Sequence, residues 1–386
     1  MIAYTPEGSA GGRDTFNDII ALHAIHKSDK TVYYLLDDNG DEISSITYAE
    51  LFKNIILQAH KLRNAFKKGD RCILIFQPGM ELIISLLACF YSGIIAVPVN
   101  PPKRNKTNKR FWAILSDCSP AGIMMDGENR ELLEKHFEDR RELDNMKRIS
   151  VERSFVNFTE EPADYGITAE DIAFLQYTSG STGLPKGVMV SHGNLMQNSE
   201  VIRQSFNHDE ELVVINWLPP FHDMGLIGNL LQPLYVGGSS VIMHPNTFLR
   251  SPFIWLKAIT KYKGITTGCP NFALEYCVEK VSEEQKKELD FSSLKVMFCG
   301  SERVRKQSLD RFNKAFREQG FRNNKFLPCY GLAESTLMVS GIDAKEEPLS
   351  ISISRSDAER NSIAVPARQP EDSMQAIGCG NTWETR

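Results

Sequence analysis

Short apolar runs alternate with amphipathic stretches along this chain, and the alternation predicts its elements. Phe16, Ile19, Ile20, His23 and Ile25 share helical spacing behind Asp14 or Thr15 as cap. Residues 32–37 and 42–46 flank Asn39-Gly40, a pair that tolerates the backbone of a tight hairpin turn. Thr47 and Glu50 form a capping-box pattern opening a helix toward Phe66. Strand 72–76, the turn Gln77-Pro78-Gly79, helix 80–92 and strand 94–97 follow, closed by Pro98, Pro101 and Pro102. Helices over 107–117 and 128–138 enclose a strand at 121–125. After a polar stretch comes the strand-like run Ile172 to Leu175, and Ser191 caps a helix to Phe206. Strand 211–217, helix 224–235, strand 239–243, helix 250–262, strand 264–267, helix 271–281, strand 294–299 and helix 303–318 complete the series. Strands alternating with helices predict an α/β protein with mainly parallel sheets and right-handed crossovers.

From residue 341 the pattern breaks. Strand-like pieces at 349–353 and 363–365 lie among charges and prolines, as in an inserted, exposed segment. The expected division is a first βα lobe over 1–190, a second over 191–340, and this remainder over 341–386. A length of 386 residues is more than one average core needs. A net charge of −5 offers no reason to expect a nucleic-acid partner. Lys103, Arg104, Lys106, Lys109 and Arg110 form a local basic cluster, read as a solvated loop. Eight cysteines without a C-x-x-C pattern fit buried thiols in a reducing cytoplasm. The amino terminus has no secretory h-region. The longest apolar stretch, Leu82 to Val99, is interrupted by Ser85, Ser92, Gly93 and Pro98, so it reads as helix, turn and strand and not as a membrane span.

The chemistry gathers at QYTSGSTGLPKG, residues 176–187. Gly180, Gly183 and Gly187 permit close backbone approach, so that amides can turn toward one anion. Thr178, Ser179, Ser181 and Thr182 add hydroxyl donors, and Lys186 after Pro185 adds a cation suited to phosphate. The lysine follows a proline, so this is not the Gly-Lys-Ser/Thr of a Walker loop.

Three further stretches carry polar groups suited to a ligand, the first two of them at predicted strand ends, where ligands bind in α/β sheets. WLPPFHDMGLIG (217–228) presents His222 to a carboxylate or phosphate, with Asp223 either orienting it or capping a helix. FCGSERV (298–304) forms a Gly-Ser-Glu turn, which as an ordinary strand-to-helix turn would need only a capping Ser301. CYGLAES (329–335) places an aromatic face at Tyr330 and a hard oxygen ligand for Mg²⁺ at Glu334. CPNFALEYC (269–277) begins an amphipathic helix, whose apolar residues core packing would explain equally.

Residues 176–187 closely resemble the phosphate-binding signature of adenylate-forming enzymes, the superfamily of acyl-CoA synthetases, luciferases and peptide-synthetase adenylation domains. The His-Asp-Met-Gly-Leu-Ile-Gly form is similar to fatty acyl-AMP ligases in particular. The resemblance implies ATP and Mg²⁺, with Thr178, Ser179, Gly180, Ser181, Thr182, Gly183 and Lys186 toward phosphates. It implies nucleotide contacts from Gly300, Ser301, Glu302, Tyr330, Gly331, Leu332 and Ala333, and magnesium at Glu334. His222, Asp223, Met224, Gly225, Asn271 and Phe272 fall toward the acyl substrate, with His222, Glu334 and Lys186 nearest the chemistry. The implied reaction joins a long-chain fatty acid to AMP and passes it to the phosphopantetheine of an acyl carrier protein or of a synthase carrier domain. Segment 341–386 falls where these ligases carry an insertion, followed by the start of a β-rich subdomain. The family's later Thr-Gly-Asp motif and the lysine of its C-terminal domain have no counterpart, so the chain reads as the N-terminal part of a longer enzyme. An acyl-CoA synthetase, an amino-acid-activating domain and a binding module without turnover are the alternatives.

Overall fold

The computed structural model describes residues 14–103, 107–136, 143, 146–151, 162–178, 184–361 and 363–382. Helix α1 (Phe16–His26) precedes the hairpin β1 (Thr31–Leu36) and β2 (Glu42–Thr47), and α2 (Tyr48–Ala65) follows. Next come β3 (Arg71–Ile75), α3 (Met80–Ser92), β4 (Ile95–Val99), α4 (Lys109–Cys118), β5 (Gly122–Met125), α5 (Gly127–His136) and β6 (Lys147–Ser150). The pair β7 (Ile172–Thr178) and β8 (Lys186–Ser191) leads into α6 (His192–Phe206) and β9 (Val213–Asn216). A π-helix (Met224–Leu231) continues as α7 (Gln232–Val236), then β10 (Ser239–Ile242), α8 (Pro245–Arg250), α9 (Pro252–Lys261) and β11 (Thr266–Cys269). Helix α10 (Asn271–Lys280), the short α11 (Glu283–Lys286), β12 (Val296–Cys299) and α12 (Lys306–Ala315) follow. Strands β13 (Phe326–Gly331), β14 (Met338–Gly341) and β15 (Ser350–Ser354), helix α13 (Arg355–Asn361), and strands β16 (Ser373–Ile377) and β17 (Asn381–Thr382) complete the order.

These elements build an α/β fold of two main sheets. One has six strands in the order β6-β5-β3-β4-β7-β8, parallel except for β8, which runs antiparallel at the edge. The other has nine, β17-β14-β13-β12-β11-β9-β10-β1-β2, with a parallel centre and antiparallel strands at both edges. The hairpin β1–β2 therefore joins the second sheet, because β1 pairs in parallel with β10. A boundary at residue 190 would have put it in the first. Helix α3, apolar apart from Glu81, Ser85 and Ser92, is buried on almost every side. It ends at Gly93 in the left-handed conformation (φ +70°), and β4 follows, which is how Leu82 to Val99 avoids being one continuous span. Among the described residues no helix is long and apolar enough to cross a membrane.

Local chemistry explains the termini that were anticipated. Thr15 with Asp18, Thr47 with Glu50 and Ser191 with Asn194 each make reciprocal capping bonds. Elsewhere the structure differs from expectation. The expected helix 250–262 is α9 alone; α8 precedes it as a separate helix that was not anticipated, and Pro252 divides the two by keeping Ser251 extended (φ −152°, ψ 96°). Helix 224–235 begins as a π-helix. Pro233 has no N–H for the Asn229 carbonyl one turn back, and the Ser240 hydroxyl donates to that carbonyl instead at 2.9 Å. Tyr33 Oη likewise donates to the Leu230 carbonyl at 2.9 Å. Residues 363–365 are not a strand; β16 is the partner of β15, with α13 between them. This hairpin is an excursion between β14 and β17, neighbours at the edge of the nine-stranded sheet.

Candidate active site

Four strands deliver their carboxyl-terminal ends to one place: β7 from the six-stranded sheet, and β9, β12 and β13 from the nine-stranded one, while the end of β11 reaches an adjoining cavity. A cavity of about 880 Å³, counted to its open mouth, lies there. Its wall includes Thr178 at the end of β7, His222, Asp223 and Met224 beyond β9, Gly300 and Ser301 beyond β12, and Tyr330 to Glu334 at the end of β13. Ile202, Phe206, Phe298, Cys329, Leu337 and Met338 supply its apolar side.

A second cavity of about 660 Å³ adjoins it. Trp217, Leu218, Pro219, Pro245, Leu249, Pro270 and Phe272 make its wall almost wholly apolar. The two cavities share His222, Met224 and Ser301. Behind the second cavity, Trp217 stacks on Phe248 at 3.7 Å, and Trp255 and Phe272 meet that pair edge-on.

His222 stands at the seam with its side chain 57% exposed. Its Nδ1 lies 2.6 Å from Asp223 Oδ1, which also accepts the Met224 amide at 2.7 Å. The Asp223 bond raises the imidazole pKa above its ordinary value, against burial and the positive charge of Arg110. Ser301 holds the left-handed conformation (φ +64°) that side chains rarely adopt, and its Oγ reaches Met224 Sδ at 3.1 Å. Tyr330 is exposed, so its ring face is free to stack. The Glu334 side chain is also exposed, on a short 3-10 turn over Ala333–Ser335. Among the described residues no group of three or more His, Cys, Asp or Glu could hold a metal ion by itself.

The remaining expected residues are placed as follows. Ser179, Gly180, Ser181, Thr182 and Gly183 lie outside the described residues. Lys186 is exposed at the start of β8 and pairs in register with Thr178. Gly225 does not line either cavity. It is buried where a Cβ would come 2.2 Å from the Pro219 carbonyl oxygen, so its role is to let the helix start pack against the double proline. Asn271 also faces away from both cavities. Its amide nitrogen bonds Ser308 Oγ and its oxygen accepts the Arg305 amide, both at 2.9 Å. Glu302 accepts the Phe272 amide at 2.7 Å, tying the start of α10 to the end of β12.

Two site neighbours escaped the sequence reading. Gln176 is buried and donates from Nε2 to the Phe221 carbonyl at 2.9 Å, linking β7 to the His222 loop. Arg110 of the basic cluster donates from Nη2 to the Tyr177 carbonyl at 2.9 Å. Gln176 stood inside the glycine-rich motif, whereas nothing local distinguished Arg110 from its basic neighbours.

Comparison with known proteins adds relatives to this geometry. The family model described as AMP-binding enzyme matches residues 21–367. The medium-chain-fatty-acid–acyl-carrier-protein ligase JamA of Moorena producens is 32% identical, over 95% of this chain and 63% of its own length. The corresponding ligase TtuA of Teredinibacter turnerae is 31% identical, over 93% of this chain and 62% of its own. A crystal structure of the fatty acyl-adenylate ligase from L. pneumophila, in complex with acyl adenylate and pyrophosphate, superposes with a TM-score of 0.86. It is 37% identical and covers 95% of this chain and 64% of that one. The chain thus spans less than two thirds of the length of each of these relatives.

Proposed function

The chain belongs to the AMP-binding enzyme family, and from that premise we propose that its site activates a fatty acid as acyl-AMP. The observation that carries this reading is the seam at His222, where a cavity lined by both polar and apolar side chains meets an almost wholly apolar one. ATP takes the first cavity, with Tyr330 against adenine and Thr178 and Lys186 toward the phosphates. The acyl chain takes the second, and its carboxylate reaches the seam.

A carboxylate oxygen attacks the α-phosphorus, the bond to the bridging oxygen of the β-phosphate breaks, and pyrophosphate leaves. The protonated imidazole of His222, held by Asp223, attracts the carboxylate. The Lys186 ammonium stabilises charge on the phosphate oxygens. Glu334 fits magnesium: it is an exposed hard oxygen at the cavity wall, and Mg²⁺ is commonly held by one carboxylate together with substrate phosphates. When bound, the ion supplies charge neutralisation on the polyphosphate.

The acyl group then passes to the phosphopantetheine thiol of an acyl carrier protein or carrier domain, a step supported by the names of the two ligases above. On this reading the excursion between β14 and β17 is the ligase-specific insertion. All eight cysteines are free thiols, which fits a cytoplasmic, reducing setting. The test is exchange of labelled pyrophosphate into ATP. Exchange that requires both fatty acid and Mg²⁺ supports the reading, and exchange indifferent to fatty acid overturns it.

A further inference from the structure

Two charged side chains of α4 converge on Tyr177, the residue before Thr178. Arg110 Nη2 donates to the Tyr177 carbonyl at 2.9 Å. Two turns along the same helix face, Asp117 Oδ2 accepts the Tyr177 hydroxyl at 2.5 Å. One residue is thus held by its main chain and by the far end of its ring. Burial and the Asp117 bond push the phenol pKa well up, so the hydroxyl stays a donor. The ring lies over Gly187, where a Cβ would come 2.9 Å from ring Cζ. Gly187 is the β8 partner of Tyr177, and Lys186 is the partner of Thr178. Through Gln176 the same strand also holds the Phe221 carbonyl, one residue before His222.

We propose that α4 is a positioning element of this site: Arg110 and Asp117, acting through Tyr177, set where Thr178 and Lys186 meet a polyphosphate. The inference rests on reading the cavity as an adenylate-forming site. Neither residue lines the cavity, so both act through the β7–β8 pair. Displacing a binding group by about 1 Å can cost on the order of a hundredfold in rate. Charge-assisted hydrogen bonds are the strong ones, so misplacing the phosphate contacts of Thr178 and Lys186 should also cost about tenfold or more in nucleotide affinity.

The experiment compares Arg110→Lys, Arg110→Ala and Tyr177→Phe with the unaltered chain. One readout is ATP affinity with Mg²⁺, set against fatty-acid affinity. The other is the His222 titration followed by NMR, with melting temperature as a control for folding. His222 is faced by Asp223 on its own loop and by the charge of Arg110 from α4, while Tyr330 and Glu334 share its cavity. Tyr177→Phe and Arg110→Lys should weaken ATP about tenfold or more, leave fatty acid within twofold, and leave the His222 titration in place. Arg110→Ala should weaken ATP similarly and also move the His222 titration upward, because a repelling charge is gone. ATP affinity unchanged in both Arg110→Ala and Tyr177→Phe overturns the proposal. If the unaltered chain binds no ATP, the functional reading falls instead. The His222 titration in Arg110→Ala then still decides whether Arg110 acts on this site: an upward shift supports the placement and no shift overturns it.

Discussion

His222 Nδ1 sits 2.6 Å from Asp223 Oδ1, and the Met224 amide holds that oxygen at 2.7 Å. The Met224 amide also lies 3.3 Å from His222 Nδ1, so it holds carboxylate and imidazole together, and the protonated imidazole donates its Nδ1–H to Asp223. Nε2 is left for the seam between the two cavities. The bond favours the charged imidazole, which is the form that attracts a carboxylate substrate.

Replacing Asp223 by Asn should lower the His222 pKa, since the largest cause of its elevation is removed. An NMR titration of the imidazole checks this. In the unaltered protein the elevated pKa stabilises the fold fully below the unfolded value near 6.5, and this contribution fades as pH rises through the folded value. The KM for fatty acid should rise over the same upper range.

Two other histidines act with the opposite sign. Burial lowers the pKa of His192 to about 4 and of His208 to about 3. The unfolded chain takes up these protons near 6.5, so stability should fall as pH drops from there toward 4, by roughly 1–3 kcal/mol per group. Thermal melts across that range check it, and His192→Gln should flatten the slope.

Glu334→Gln keeps the size of the side chain and removes the charge. It should reduce Mg²⁺-dependent pyrophosphate exchange at least a hundredfold while leaving fatty-acid binding within twofold. Exchange and calorimetric measurements on the same preparation separate the two effects.

Ser240→Ala tests the π-helix. The Asn229 carbonyl would lose the hydroxyl that stands in for the absent Pro233 N–H, leaving a buried acceptor without its partner. A loss of about 1–3 kcal/mol in denaturant unfolding is expected.

Features that depend on neighbours in sequence were legible. The capping box at Thr47, the cap at Ser191, the Asn39-Gly40 turn and the breaks after α3 follow from local hydrogen bonds and backbone preference. The placement of β1 beside β10 was not legible, since parallel pairing across two hundred residues leaves no local trace. Strand β8 left little signal, because Lys186 and Gly187 close the glycine-rich motif and only three residues separate them from the Ser191 cap. At the site, Tyr330, Glu334 and His222 could be picked out because strand-end motifs carry them to the cavity. Asn271 and Glu302 looked equally suitable, but the Asn271 amide binds Ser308 and Arg305, and Glu302 Oε1 accepts the Phe272 amide. Arg110 was hidden for the converse reason: its partner is a backbone carbonyl sixty-seven residues away.

On the proposed reading this site joins a fatty acid to AMP. Mass spectrometry of the products formed from fatty acid, ATP, Mg²⁺ and coenzyme A tests it most directly. Acyl-AMP and pyrophosphate without acyl-CoA are the expected products. Accumulation of acyl-CoA would contradict transfer to a carrier protein, and the absence of any fatty-acid-dependent adenylate would contradict the reaction itself.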